Sequence, residues 1–421
     1  MASQYSVLDV FAGAGGLTEG FDRQNFNFVS HIEMNPYAVK TLETRSIYHS
    51  LKNSRHFDLY PEYLKNRTEK NARVNFIESW KKLQLPEIGI ISEEISVNSQ
   101  KNIIKKIKAG LHENDQKKID IIIGGPPCQA YSLIGRGRDP AGMANDPRNE
   151  LYLHYLHFLK KFNPEIFIFE NVPGILSAKK GKIYSHFQEN VEKLGYYAEG
   201  HILNALNFGV LQNRKRVVLI GWKKSHNLEY PDFGSALPPF RIHDLLSDLP
   251  VPESGRGDDV PVDYRTGPTK YLKISGIRTK EKILLHHRVR RNNERDREIY
   301  RRAISIWNNE RRRMRYDELP DNLKTHKNVT SFLDRFKVVD NNGYSHAMVA
   351  HLSKDGHYFI HPDINQTRSI TVREAARIQS FPDNYIFEGP RTSQFVQIGN
   401  AVPPLMAEGI AKKIKEMLLK I

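Results

Sequence analysis

The sequence predicts an α/β fold in which a doubly wound, mostly parallel sheet is joined to a smaller second domain. Short apolar runs rich in strand formers alternate with helical segments through the first half of the chain, as in parallel sheets with crossover helices. The unusual residues stand where those strands end, and ligands of such sheets bind beyond the carboxyl ends of the strands. A chain of 421 residues also exceeds the usual size of a single core.

The predicted elements follow in order from the N-terminus. The run "YSVLDVF" predicts a strand that stops at "AGAGG", and "LTEGFDRQ" begins a helix. "FNFVSHIE" predicts a second strand ending at Glu33, and "PYAVKTLETR" a helix with proline near its start. Residues 119–123 predict a buried strand ending in "GGPP". The helix "LYLHYLHFLKKF", the strand "EIFIFENVPG" and the strand "VVLIGW" come after it.

The composition of the chain changes after residue 222, where proline, glycine and charged residues become frequent. We therefore expect a catalytic domain over residues 1–222, a smaller basic domain over 223–365 and a return segment over 366–421. The return segment ends in an amphipathic helix after "GNAVPP", which we expect to pack on the sheet of the first half. Residues 46–85 are polar and lysine-rich and predict an insertion between sheet elements.

Composition narrows the functional class. The net charge of +15 favours a polyanionic partner such as nucleic acid, although a generally basic surface explains it too. The densest positive stretch is residues 286–316. The single cysteine excludes an internal disulfide, and the sequence has neither an apolar run long enough for a membrane span nor a signal-peptide pattern at its start. We expect a cytoplasmic protein.

A glycine turn follows the first strand. Glycines 13, 15 and 16 permit positive φ and close approach of a ligand to the backbone at a helix N-terminus. Position 18 is Thr18, so the dinucleotide pattern G-x-G-x-x-G is incomplete. Glu33, at the end of the next strand, is suited to accept the ribose hydroxyls of a nucleoside cofactor. A tight connection and a solvated carboxylate are the alternatives.

The lone Cys128 stands in "GGPPCQAYSLIGRGRD", after two prolines that stiffen the chain at a strand end. That placement suits a nucleophile in a cleft, and a buried structural thiol is the equal alternative. Gly135 and Gly137 alternate with Arg136 and Arg138, which predicts a mobile basic lid with phosphate contacts.

Two further strand ends carry charged residues. Glu170 ends the strand "EIFIF" in apolar surroundings, where burial raises a carboxyl pKa and lets it donate a proton at neutral pH. Arg214 and Arg216 alternate in "QNRKRV" and would point the same way on an extended chain. An ion-paired carboxylate and solvated arginines are the alternatives to functional roles.

Together, "DVFAGAGGL", "GGPPCQAYS", "FENVPG", "QNRKRV" and "GNAVPP" resemble, in order and spacing, the DNA (cytosine-5)-methyltransferases of bacterial restriction-modification systems. The resemblance implies a Rossmann-like domain that uses S-adenosylmethionine and a basic target-recognition domain. It implies that Cys128 attacks C6 of a flipped cytosine, Glu170 protonates or hydrogen-bonds N3, and Arg216 holds the O2 side with Arg214 in support. The residues that it places around the cofactor are Phe11, Gly13, Gly15, Glu33, Glu94, Pro126, Leu151, Asn400 and Val402.

The resemblance also implies double-stranded DNA as the partner. Gln129 and Ser132 match positions beside the flipped nucleotide, and the basic stretch offers Arg288, Arg290 and Arg291 for guanine or phosphate. The histidines of residues 345–363 are too loosely spaced to favour a metal site over a DNA-facing segment, so no metal is expected. We expect a monomer in a bacterial cytoplasm, with a cognate restriction endonuclease as a further candidate partner.

Three other functions compete with this interpretation. An RNA cytosine-5 methyltransferase of the same fold would share the cysteine and glutamate motifs, and the long basic segment argues against it. A nicotinamide-dependent oxidoreductase would require a third glycine at Thr18 and would leave Cys128 and Glu170 without roles. A catalytically silent DNA-binding module would lack methylation altogether.

Overall fold

The computed structural model describes residues 5–113, 116–127, 150–253, 255, 259–280, 282–325 and 333–421. The predictions for Cys128, Gln129, Ser132, Arg136 and Arg138 lie outside the described residues, as does the proposed lid.

The centre of the fold is a seven-stranded sheet with strand order β3-β2-β1-β4-β5-β8-β6. Neighbouring strands from β3 to β5 are parallel, and β8 runs antiparallel to both β5 and β6. The predicted doubly wound, mostly parallel sheet is therefore confirmed. A short parallel pair, β7 with β9, joins the two halves of the chain. The strands are β1 Ser6–Val10, β2 Asn27–Glu33, β3 Gly89–Ser92, β4 Ile121–Gly124, β5 Ile166–Asn171, β6 Tyr196–Asn204, β7 Gln212–Asn213, β8 Lys215–Lys223 and β9 Ser345–His346.

Helices cover both faces of the sheet, so its central strands are buried and mostly apolar. Every residue of β1 and β4 is buried. The helices are α1 Gly16–Arg23, α2 Pro36–Leu51, α3 Leu59–Asn66, α4 Ala72–Lys81, α5 Gln100–Glu113, α6 Leu151–Phe162, α7 Lys182–Lys193, α8 Ile242–Leu246, α9 Lys270–Ile274, α10 Glu294–Glu310, α11 Val372–Ile378, α12 Arg391–Asn400 and α13 Pro404–Leu418. Among these described helices none is both long and apolar enough to cross a membrane.

The last helix returns to the sheet of the first half, as predicted. Met406, Ile410 and Ile414 on α13 share one buried cluster with Phe21 of α1 and Ile121 of β4. This packing brings the segment between α12 and α13 against the turn that follows β1, because α1 and α13 both begin there.

The predicted insertion over residues 46–85 was placed wrongly at its start. Residues 46–51 complete α2, and the helical pair α3 and α4 follows. The pair has a core of its own, in which Tyr63 stacks on Phe76 with ring centroids 4.3 Å apart. The same cluster includes Ile283, Leu285 and Ile386, so these helices pack against the second half of the chain.

A buried charge cluster anchors the second half. Arg377 of α11 is fully buried and bridges Asp248 at 2.6 Å and Asp383 at 2.7 Å. Since an unpaired buried charge is costly, these three residues hold the segments after α8 and α11 in one arrangement. The proposed division at residues 222 and 365 stays a prediction. One apolar cluster contains Leu211, Leu272 and Phe395, which come from all three proposed segments.

Candidate active site

The glycine turn after β1 has the conformation that its sequence predicts. Phe11, Gly13 and Gly15 have φ values of 63°, 58° and 76°, and α1 begins at the next residue, Gly16. A side chain on Gly13 would meet nothing within 4 Å, so the backbone borders open space there. The turn therefore offers an accessible backbone surface at the N-terminus of α1.

Glu33 closes this turn from the end of β2. Its Oε2 accepts the N–H of Gly13 at 2.8 Å, and its Oε1 accepts the N–H of Asn35 at 2.7 Å. Burial raises the pKa of the Glu33 carboxyl, and the two backbone N–H groups oppose that rise. Each carboxylate oxygen keeps a lone pair that can accept a ligand hydroxyl.

Thr18, which breaks the dinucleotide pattern, has a structural role that the sequence analysis missed. Its hydroxyl donates to Oδ2 of Asp9 at 2.6 Å, and both side chains are buried. Asp9 lies on β1 and Thr18 on α1, so this bond ties the strand to the helix across the glycine turn. The apolar neighbours of Asp9 in "VLDVF" were the available signal, since a carboxylate in a buried strand requires a donor.

The "GNAVPP" segment lies directly on the same turn. A side chain on Gly16 would overlap the carbonyl oxygen of Val402, which explains glycine at that position. Val402 is buried, whereas Asn400 is exposed at the end of α12. The two cofactor-binding predictions therefore fall beside the glycine turn, with Asn400 accessible to a ligand.

Arg214 holds this segment in place. Its guanidinium is fully buried and donates to the carbonyls of Gly399 at 3.2 Å and Ala401 at 2.9 Å, and also to the carbonyl of Met348. These bonds fix the "GNAVPP" segment beside the turn, and the predicted support of Arg216 by Arg214 stays a prediction.

The end of β4 packs closely against the end of β5. The side chain of Asn171 donates to the carbonyl of Pro126 at 3.2 Å. A side chain on Gly125 would lie 2.7 Å from Oε2 and 2.9 Å from the carbonyl oxygen of Glu170. Glycine is therefore required where β4 leads toward Cys128, because Glu170 occupies the adjoining space.

Glu170 and Arg216 form an ion pair at the carboxyl edge of the sheet, with Nε to Oε1 at 2.8 Å. Burial raises the pKa of the Glu170 carboxyl, and the charges of Arg216 and Arg214 oppose that rise. Arg214 stands between β7 and β8 and has partners of its own. The predicted alternation therefore brings both charges near Glu170, but only Arg216 contacts it.

The remaining cofactor predictions lie at the same edge. Leu151 is half-buried at the first residue of α6, and Glu94 is exposed two residues beyond the end of β3. Since β3 is parallel to β2, its end points the same way as the end that carries Glu33.

The predicted DNA contacts in the basic stretch differ in their availability. Arg288 pairs with Glu253 at 2.6 Å. Arg290 donates to the carbonyls of Leu352 and Lys354 at 3.0 Å and 2.6 Å. Only Arg291, of the three, is exposed without such a partner in the described structure.

The histidines of residues 345–363 have separate partners in the described structure. His346 contacts the carbonyl of Tyr358 at 2.5 Å, whereas His357 contacts the hydroxyl of Tyr300 at 2.7 Å. Within the described ranges, no group of three or more histidine, cysteine, aspartate or glutamate side chains is arranged to hold a metal ion.

Comparisons with known proteins point to one family. The model of the C-5 cytosine-specific DNA methylase family matches residues 5–66 and 92–416. The type II methyltransferase M.Bpa9945I of Bacillus paralicheniformis is 42% identical over 440 residues, covering 98% of this chain and 99% of the relative. The type II methyltransferase M.DdeI of Desulfomicrobium norvegicum is 31% identical, covering 97% of this chain and 88% of the relative.

The fold has a solved counterpart. A crystal structure of a prophage-encoded E. coli protein, assigned as a DNA modification methyltransferase, aligns with a TM-score of 0.67 at 24% identity. The alignment covers 99% of this chain and 100% of that chain. This likeness concerns the fold.

Proposed function

Because the chain belongs to the C-5 cytosine-specific DNA methylase family, we propose that it methylates C5 of a flipped cytosine in a specific double-stranded DNA sequence, through a covalent bond from Cys128 to C6. The observation that carries this proposal is the half-buried ion pair of Glu170 and Arg216 beside Gly125, three residues before Cys128 in the chain. This pair combines a carboxyl of raised pKa with a fixed cation.

The residues around the glycine turn fit S-adenosylmethionine as the cofactor. Gly13 leaves the backbone open, Glu33 presents a carboxylate beside it, and Asn400 adds an accessible amide. Phe11, Gly15, Glu94, Pro126, Leu151 and Val402 are the further residues proposed to surround it. When bound, S-adenosylmethionine supplies an electrophilic methyl group on sulfur.

The proposed nucleophile is the thiolate of Cys128. Cytosine C5 is a poor nucleophile, and addition of sulfur to C6 pushes the C5–C6 electron pair into an enamine that makes C5 nucleophilic. After C5 is methylated, loss of its proton to solvent and departure of the Cys128 sulfur restore the aromatic ring. The cytosine must leave the base stack first, because a paired base is closed on both faces.

Glu170 and Arg216 stabilise the charge that this addition creates. A protonated Glu170 donates to N3 of the ring, and the burial that raises the pKa of its carboxyl favours that form. Arg216 holds the carboxyl at 2.8 Å and presents a positive charge to O2. Arg214 acts indirectly, through the carbonyls of Gly399 and Ala401.

Residues 223–365 are proposed as the target-recognition domain, between the catalytic residues 1–222 and the return segment 366–421. Arg291 is its best-placed candidate for DNA among the described arginines of the basic stretch, since Arg288 and Arg290 have intramolecular partners. Gln129, Ser132, Arg136 and Arg138 are proposed to contact DNA beside the flipped base. We further propose a monomeric bacterial cytoplasmic enzyme that protects host DNA against a cognate endonuclease.

Bisulfite sequencing of DNA from bacteria that express the chain tests this function. We expect 5-methylcytosine at one recurring sequence, absent from cells that express Cys128→Ala. A wild-type chain that leaves all genomic cytosines unmethylated, while cellular RNA gains 5-methylcytosine, would favour the RNA methyltransferase. A chain that modifies neither would favour the silent DNA-binding module.

A further inference from the structure

The arginine-rich part of the chain is largely neutralised by its own carboxylates. The run after α10 supplies much of the positive charge of the second half, yet each of its members has an acidic partner. The ion pairs are Arg311–Asp340 at 2.9 Å, Arg312–Glu318 at 2.8 Å, Arg313–Asp334 at 3.8 Å and Arg315–Asp317 at 2.8 Å. The run after α10 is therefore not the strongest candidate for a polyanion surface.

Four exposed lysines, unlike these arginines, have no carboxylate partner among the described residues. Lys179, Lys180, Lys182 and Lys215, here called the lysine edge, are all exposed. Among the described residues, no carboxylate oxygen lies within the 4.0 Å ion-pair distance of any of them. The lysine edge therefore presents four positive charges without a carboxylate partner in the part of the chain that the structure describes.

The topology places these lysines at the carboxyl edge of the sheet. β5 ends at Asn171, and the 3-10 segment Pro173–Gly181 follows it. β8 runs the other way, so its first residue, Lys215, stands at the same end, next to Arg216. Ile175 and Ala178 are buried in the core and fix the segment that carries Lys179 and Lys180.

The backbone at Lys179 and Lys180 is strained. Their φ values of 48° and 59° lie in the left-handed region, and Gly181 follows at 84°. Lysine is disfavoured there relative to glycine, which has no Cβ, and to asparagine, whose short polar side chain can form hydrogen bonds with the local backbone. Residues kept in such conformations are concentrated at functional sites.

We propose that the lysine edge binds phosphates of the DNA backbone next to the target cytosine. The inference rests on the proposed function and adds a binding surface on the catalytic domain, outside residues 223–365. Lysine ammonium groups meet phosphates as point charges and do not read bases. The surface therefore holds the duplex against the carboxyl edge independently of sequence.

The salt dependence of DNA binding tests this surface. In a Lys179→Asn, Lys180→Asn double variant, asparagine tolerates the left-handed backbone and removes both charges. Affinity for a labelled mixed-sequence duplex is measured over a range of salt concentrations. Each lost phosphate contact reduces the slope of log K against log salt by about 0.9, so the double variant should lose about 1.8, with an unchanged or raised melting temperature.

The matched control is Lys412→Gln with Lys420→Gln, which removes the same charge from exposed positions on and after α13. Lys420 lies toward the opposite edge, because the carbonyl of Leu418 accepts from Tyr5, just before β1. The control should keep the wild-type slope. Equal slopes for wild type and double variant, or an equal loss in the control, would overturn the proposal.

A second pair, Lys182→Gln with Lys215→Gln, lies outside the strained residues and repeats the test should the first variant misfold. An unchanged slope in that pair would likewise overturn the proposal. Methylation by the wild-type protein is measured in parallel. If the wild type methylates DNA but the variants keep the wild-type slope, only the proposed DNA binding by the lysine edge is refuted. If the wild type has no methylation activity, the proposed function is refuted.

Discussion

Replacing Gly125 with alanine would place a methyl group against Glu170 without changing any charge. The added Cβ would lie 2.7 Å from Oε2 and 2.9 Å from the carbonyl oxygen of Glu170, whereas ordinary contacts begin at 3.4 Å. The carboxylate would therefore have to move by about 0.7 Å. A shift of the whole strand is restricted, because the backbone around the carbonyl oxygen of Glu170 is closely packed. The substitution displaces the proposed acid while leaving its chemistry intact.

This displacement should appear in the chemical step. A misplacement of about 1 Å costs on the order of 10²-fold in rate. We expect Gly125→Ala to lower the single-turnover rate of DNA methylation roughly 10- to 100-fold, or about 1.4 to 2.7 kcal/mol in the barrier. DNA affinity should change little, because the new methyl group does not alter a charged surface.

The control is Gly267→Ala, where an added Cβ would meet nothing within 4 Å. That variant should keep the wild-type rate and melting temperature. A Gly125→Ala protein that folds and methylates at the wild-type rate would refute the argument that the position of Glu170 is set by the glycine beside it.

Other substitutions probe the remaining parts of the structure. Glu170→Gln should lower the methylation rate by roughly 10²- to 10⁴-fold. In the wild type the rate should fall as pH rises through the raised pKa of Glu170, because the protonated form is the acid; that limb of the pH–rate profile should vanish in the variant. Thr18→Val removes the donor to buried Asp9 and should cost about 1 to 3 kcal/mol of stability in urea denaturation, whereas an unchanged midpoint would contradict the bond's role. Arg377→Met removes the cation that bridges buried Asp248 and Asp383, which keep Arg278 and Arg373 as ion-pair partners, and should cost about 3 to 5 kcal/mol by the same measurement; a loss under 1 kcal/mol would contradict it.

The parts of the fold that the sequence predicts well are governed by local pattern. Buried parallel strands are continuous apolar runs, so β1, β4 and β5 could be placed from composition alone. The ends of β1, β2 and β5 carry glycine or a charged residue, which predicted where Gly13, Glu33 and Glu170 would lie. The antiparallel direction of β8 was not predicted, because a single apolar strand carries no signal of direction.

Long-range contacts explain the errors. Residues 46–85 are polar on average, so they were interpreted as an insertion, although Tyr60 and Tyr63 lie three residues apart, a spacing that a helix buries on one face. Arg290 was proposed to contact DNA, yet its guanidinium meets carbonyls more than 60 residues away in the chain. No local pattern shows whether an arginine has such a partner.

Trapping with duplex DNA that contains 5-fluorocytosine tests the central claim most directly. Fluorine at C5 cannot leave as a proton does, so an enzyme that forms the proposed bond stays attached to the base after methyl transfer. In the presence of S-adenosylmethionine we expect a stable adduct whose modified peptide contains Cys128, and none with Cys128→Ala. An adduct on another residue, an adduct with fluorocytosine-containing tRNA but not with DNA, or methylation of ordinary DNA without any adduct would contradict the covalent mechanism on DNA.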